Sequence, residues 1–166
     1  MSALPLSGLI LALLLGWAVV AELIHGRIGN APTWGVLALW AAGLGAAVVL
    51  PGSAGFPWPA LWIGAAYAAV VLVTGRAMQA LRWAERWEVH LCAAACLWFG
   101  AQADGFLLAT AVAGGVMSLA MPMLAAVPAP SLPAVAARWR RPPSRASSIP
   151  YAPAIATGAV FASWMR

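Results

Sequence analysis

The chain has 166 residues, of which 64% are hydrophobic and 8% charged, and its mean hydropathy is +0.90. A soluble domain is about half apolar and about a quarter charged, and a chain this short has too little interior to hide such an apolar excess. These values exclude a soluble globular domain, a disordered chain and a coiled coil, and leave an all-α polytopic membrane protein. The nine basic residues are all arginine and give a net charge of +5, but they are spread along the chain rather than gathered into a basic domain, so no nucleic-acid partner is expected.

A membrane helix needs about 20 mostly apolar residues, so the chain has room for about six spans with short loops, organised as one membrane domain over residues 1–166. The first apolar run covers 3–21 and closes at Glu22, with His25, Gly26 and Arg27 after it. No charge precedes this run and no clean small-residue cleavage site follows, so it is read as a retained helix rather than a signal peptide. The second run, 34–50, follows Pro32 and stops at Pro51, and 51–59 is a Gly/Pro-rich turn. The third run covers 60–73. The most polar stretch follows at 74–88, with Arg76, Gln79, Arg82, Glu85, Arg86 and Glu88, and is read as a loop. The fourth run, 89–100, is short for a span and is expected to borrow residues from that stretch. A turn is predicted at 102–105. The fifth run, 106–127, contains Gly114 and Gly115, where a neighbouring helix can approach closely. A Pro/Ser/Arg segment at 128–150 is predicted to be a flexible cytoplasmic loop, and the sixth run covers 151–164.

The arginines alternate with these runs. Arg27 follows the first; Arg76, Arg82 and Arg86 follow the third; Arg138, Arg140, Arg141 and Arg145 follow the fifth. Eight of the nine therefore fall on one side of a six-helix arrangement, which the positive-inside rule assigns to the cytoplasm, with both termini outside. Trp34, Trp58, Trp83, Trp87 and Trp164 lie near predicted span ends, where indole favours the membrane interface.

Only four acids are present. Glu22 closes the first helix and Glu88 opens the fourth, which puts two carboxyls from different helices at the same predicted membrane depth. Two close carboxyls can share one proton, so that one stays ionised and polarises a water, the acid–base arrangement of aspartic proteolysis. Spacing equally allows both to be interfacial acids, solvated or paired with Arg27 or Arg86. Glu85 reads as a solvated loop acid, Asp104 as a turn residue, and His25 and His90 as boundary polar residues. Cys92 and Cys96 stand one helical turn apart and read as small core residues rather than a disulfide or metal site. The arginines at 138–145 read as a topology signal that also attracts anionic lipid headgroups.

Three segments, taken in order, resemble the type IV prepilin peptidases, the membrane aspartic peptidases, and more narrowly the short form that serves tight-adherence (Flp-type) pili. The first runs from Glu22 through Leu23, Ile24, His25, Gly26, Arg27, Ile28 and Gly29 to Asn30, where the family has Asp, a basic stretch and Ile-Pro-Asn. The second runs from Glu85 through Arg86, Trp87, Glu88, Val89 and His90 to Leu91, where the family has Gly-x-Gly-Asp-Val-Lys-Leu, and its helix ends in Leu97, Trp98, Phe99 and Gly100, matching Leu-Trp-x-Gly. The third opens the last helix with Pro150, Tyr151, Ala152, Pro153, Ala154 and Ile155, where the family has Pro-Tyr-Gly-x-Ala-Ile. The resemblance covers nearly the whole chain. It implies that Glu22 and Glu88 take the places of the catalytic Asp pair, that no metal or organic cofactor is needed, and that the partner is a pilin precursor or another membrane-inserted peptide, with lipid around the helices. The chain departs from the family by Glu at both Asp positions, Gly29 for Pro, and Glu85 and Trp87 for the two Gly residues. Each Glu carboxyl reaches roughly 1 Å further than Asp, and a shift of that size can cost about 100-fold in a positioned reaction. Two readings follow from the resemblance: an active two-carboxylate peptidase of the bacterial inner membrane, and an inactive homologue that binds pilins or pilus-assembly proteins. A small transporter with both acids on its pathway is a third, although no inverted repeat is evident.

Overall fold

Leucine, valine, alanine and glycine fill the runs between the Pro- and Gly-rich stretches, and with few polar side chains to compete for backbone groups these runs wind into helices. The computed structural model describes residues 6–25, 30–49, 58–81, 84–126 and 151–165, and among them there is helix and no strand. In chain order the helices are α1 (Leu6–His25), α2 (Ala31–Val49), α3 (Trp58–Ala80), α4 (Arg86–Phe99), a single 3-10 turn (Gly100–Gln102), α5 (Ala103–Ala126) and α6 (Ala152–Trp164). Pro32, Pro59 and Pro153 sit in the first turns of α2, α3 and α6, where the missing N–H leaves no helical bond unmade. Two stretches, Trp58–Ala80 and Arg86–Ala120, are long and apolar enough to cross a membrane, and Ile10–Glu22, Ala31–Ala46 and Ala152–Trp164 are shorter apolar helices.

Two boundaries differ from the sequence reading. The third helix continues to Ala80 instead of stopping at residue 73. Polar residues do not end it because the helix absorbs them: the Thr74 hydroxyl donates to the Val70 carbonyl at 2.8 Å, and Gly75 is buried under the Val89 side chain. The turn predicted at 102–105 lies at Gly100–Gln102, so Asp104 and Gly105 belong to the first turn of α5, where an acid suits the positive end of the helix dipole. The loop predicted at 128–150, with its arginines, lies outside the described residues, as do Arg27, Arg82, Trp83 and Arg166.

Glycines set how the helices pair. A Cβ on Gly64 would lie 3.0 Å from the Cys96 carbonyl oxygen and 3.1 Å from the Gly100 Cα, while Gly75 meets Val89; the two contacts make α3 and α4 antiparallel. Gly105 faces Met165, Gly158 faces Thr110 and Gly114 faces Tyr151, so α5 and α6 are antiparallel too. These are the two most extensive helix pairs, with α1 packed on α6 and α2, and α2 on α4. Phe99 and Phe106 are fully buried and stack across the intervening turn at 5.2 Å. The C-terminal end of α1, the N-terminal ends of α4 and α6, and the C-terminal part of α3 thereby meet at one end of the bundle.

Small side chains form much of the interior. Ala18, Ala95, Cys96, Ala103, Ala154 and Ala162 are fully buried, whereas Leu13, Val73, Val116 and Leu119 are exposed. Small residues let helix backbones approach closely, and the bulk displaced by that approach faces outward. Trp34, Trp58 and Trp164 are exposed, as an interfacial indole would be, but Trp87 is buried in the core. Its ring is drawn inward because the indole N–H has a partner there, the Glu85 carboxylate at 2.7 Å.

Gly100 has φ 55° and ψ −113°, with the Ala60 carbonyl oxygen 3.0 Å from where a Cβ would lie. Gly100→Ala is expected to destabilise the fold by about 1–3 kcal/mol. Gly45→Ala, at a helical position with open space around it, is expected to stabilise by about 0.5–1 kcal/mol. Thermal unfolding of the purified chain in detergent checks both.

Candidate functional site: a pair of buried carboxyls

The start of α4 carries the first part of the site. A helix N-terminus exposes backbone N–H groups without helical partners, and short acceptor side chains satisfy them. Glu85 is the N-cap, in an extended conformation, and Glu88 is the third helical residue. The two form a reciprocal capping box: Glu88 Oε2 accepts from the Glu85 N–H at 2.7 Å, and the Glu85 carboxylate accepts from the Glu88 N–H. Glu85 also accepts from the Trp87 indole. The sequence reading of Glu85 as a solvated loop acid is therefore corrected: it is half-buried and it starts the helix.

Glu22 opens the last turn of α1 and reaches the N-terminus of another helix. Its Oε2 accepts from the Ala152 N–H at 2.9 Å, and the Tyr151 N–H also reaches this carboxyl. An anion at a helix N-terminus satisfies orphan donors and interacts favourably with the dipole. The bond joins residues 130 apart in sequence, and it fixes the end of α1 against the start of α6.

The structure brings the two predicted acids together. Glu22 is 7% exposed and Glu88 4%, and Glu22 lies close enough to Glu88 to act on it electrostatically. Glu85 acts on both, and Glu88 acts on the Tyr151 phenol. Their hydrogen-bond partners among the described residues are backbone N–H groups, and Arg86 is exposed. The remaining acid, Asp104, is exposed and lies at the opposite end of the bundle, beside Gly105 and the end of α6. His90 lines a different groove, of about 320 Å³, with Asn30, Thr33 and Trp34. Cys96 is buried and Cys92 half-buried, both as free thiols. Among the described residues no three His, Cys, Asp or Glu side chains gather around a common point.

Beside Glu88 lies a cavity of about 200 Å³ between α3, α4, α5 and α6, lined among others by Thr74, Cys92, Thr110, Tyr151 and Ile155. Glu88 Oε1 has no hydrogen-bond partner among the described residues, although its other oxygen caps the helix. Both acids thus accept from backbone N–H groups at helix starts, and Glu88 does so through one oxygen only. Against known families, characterised proteins and solved structures the chain finds no match.

Sequence reasoning missed Thr110 as a cavity residue and Glu85 as a cap. Two glutamates three apart before an apolar run were the available signal for the cap; a single hydroxyl inside an apolar helix gives none for Thr110. Because Glu22 supplies the acceptor for a buried N–H, Glu22→Ala is expected to cost about 1–3 kcal/mol. Glu22→Gln retains an acceptor oxygen and is expected to cost less. Comparing the two unfolding midpoints checks this role separately from any activity.

Proposed function

We propose that this chain is a prepilin-peptidase-like protein of the bacterial inner membrane, with six spans and both termini outside, that cleaves the leader of pilin precursors at the cytoplasmic face. The observation that carries the reading is the meeting of Glu22 and Glu88, the residues that stand where the resembled family has its catalytic Asp pair, as buried carboxyls at one end of the bundle. The apolar exterior and the two stretches long enough to cross a membrane support the location, and the arginine pattern supports the orientation.

The chemistry needs one carboxylate and one carboxylic acid. Two acids held close in a buried site favour that state, because like charges disfavour the ionisation of both. The ionised member takes a proton from water as the water oxygen bonds to the scissile carbonyl carbon. The protonated member gives its proton to the amide nitrogen as the carbon–nitrogen bond breaks. The pair ends with its roles exchanged, and transfer of one proton between the two carboxyls restores it. The water's oxygen and hydrogens are thus divided between the new carboxyl and the new amine.

A second reading, an inactive homologue that binds pilin precursors, is favoured by one observation. Both acids already have a structural task, holding the N-terminal N–H groups of α4 and α6, and the buried Trp87 occupies a position where the family has glycine. Co-expression with the pilin precursor encoded nearest to this chain separates the readings. The active reading expects processing by the parent and a loss of about 100-fold or more in Glu22→Gln and in Glu88→Gln. No processing by the parent, with recovery in the doubly substituted Glu22→Asp, Glu88→Asp chain, supports the inactive homologue. Processing that survives both Gln substitutions overturns the two-carboxylate mechanism.

A further inference from the structure

α2 and α3 both pack extensively on α4 but scarcely on each other. Between them runs the groove of about 320 Å³ that contains His90. Its floor is α4, where Ala93 and Ala94 are small and buried, and its walls are Leu37 of α2 and Ala68 and Leu72 of α3. A second cavity, of about 290 Å³, adjoins it at Leu97 and continues between the same helices to Gln102. From His90 to Leu97 the groove follows about 10 Å of helix.

The polar lining of the groove is gathered at one end. Asn30, Thr33 and His90 stand where α2 and α4 begin, the end of the bundle that holds the carboxyl pair, and the lining beyond them is apolar. Two exposed arginines extend that end. Arg86 stands one turn before His90 on α4, and Arg76 one turn beyond Leu72 on α3. Residues four apart share a helix face, and α3 runs toward this end while α4 runs away from it. Both arginines therefore continue groove-lining faces just past the polar end. No acid is among the described residues that line the groove, and Glu88 lines the separate cavity of about 200 Å³.

The occupant that fits is long, thin and apolar, with negative charge at one end. A helix is too wide, because at about 10 Å across it takes about 800 Å³ over 10 Å of its length. A hydrocarbon chain is one methylene wide, and within one leaflet it runs roughly 15 Å, enough to follow the groove and enter the second cavity. Arginine meets phosphate as a planar fork of donors, and its long stem carries the charge out to the headgroup level.

We propose that the groove between α2 and α3 binds an anionic phospholipid, with one acyl chain along α4 and the phosphate held by Arg76 and Arg86 beside Asn30 and His90. The inference rests on the membrane location in the proposed function and not on the peptidase activity.

Native mass spectrometry of the full chain, released from detergent, counts the lipid it retains. Dioleoyl phosphatidylglycerol and dioleoyl phosphatidylcholine have the same acyl chains and differ in net charge, and they are supplied at equal concentration. One phosphatidylglycerol is expected to remain bound, with a preference of about 30-fold, since each arginine near the surface contributes a factor of about five. Arg76→Gln and Arg86→Gln are each expected to lower the preference about fivefold, and the double substitution to remove it. Both sites are exposed, so these changes leave the packing intact. Leu72 is a wall residue at the rim, 38% exposed; Leu72→Trp fills the groove and is expected to lower phosphatidylglycerol retention about tenfold with both arginines in place. Equal retention of the two lipids by the parent, a preference that survives the double substitution, or retention unchanged in Leu72→Trp overturns the inference. So does a dimer that Leu72→Trp dissociates, which gives the groove to a second copy of the chain. Flotation with vesicles tests the location separately. A chain that does not float overturns both the location and the lipid site, whereas one that floats and shows no preference keeps the location and removes the site.

Discussion

The hydrogen bond from the Ala152 N–H to Glu22 Oε2 is the constraint on which the functional end of the bundle depends. The first residues of α6 carry backbone N–H groups that no helical carbonyl can reach, and Ala152 is buried. A carboxyl brought from α1 answers that need, and doing so fixes the first described helix against the last. Since α6 is also the main partner of α5, the position of α5, and with it Thr110, follows from the same bond. Glu88 does the equivalent within one segment, returning to the Glu85 N–H at the start of α4. The two acids come together because two helix N-termini do.

Close approach of the helices completes the arrangement, and it depends on what the side chains lack. Gly64 lets α3 lie on the Cys96 carbonyl, and Gly158 lets α6 lie on Thr110. Where both partners are small, the gap between axes closes and leaves little interior volume, so the larger apolar residues turn outward. A soluble protein would pay for that exterior in exposed apolar surface. The cavity beside Glu88 persists within this packing, bordered by Gly75 on α3 and by Thr110 on α5.

The sequence makes the helices legible and their ends less so. Apolar runs bounded by proline and glycine mark the six helices among the described residues, because hydropathy and backbone breakers act locally. The continuation of α3 to Ala80 was hidden because Thr74 satisfies its hydroxyl within the helix and Gly75 packs beneath Val89, neither of which polarity alone reveals. Glu22 and Glu88 were identifiable because acids are so scarce in this chain that each can be weighed alone. Glu85 and Trp87 were misread for a shared reason. Taken singly, Glu85 reads as solvated and Trp87 as interfacial, but the carboxylate and the indole N–H satisfy one another, and burial that depends on a pair is invisible to residue-by-residue reasoning.

The extra methylene of glutamate has a consequence of its own at these positions. In a capping box the third helical residue must reach back over a full turn to the N-cap N–H, and glutamate spans that distance better than the shorter aspartate. Glu88 therefore suits a helix start that has an ordinary residue, Trp87, immediately before the acid. A flexible glycine there would let the backbone bring a shorter acid to the same place. Glu88 and Trp87 suit one another: the longer side chain supplies reach that the stiffer backbone withholds. The carboxyl holds its helix start through Oε2 and leaves Oε1 without a partner among the described residues. Capping occupies only one of the two oxygens, so the structural role of Glu88 is compatible with the chemical role proposed for it.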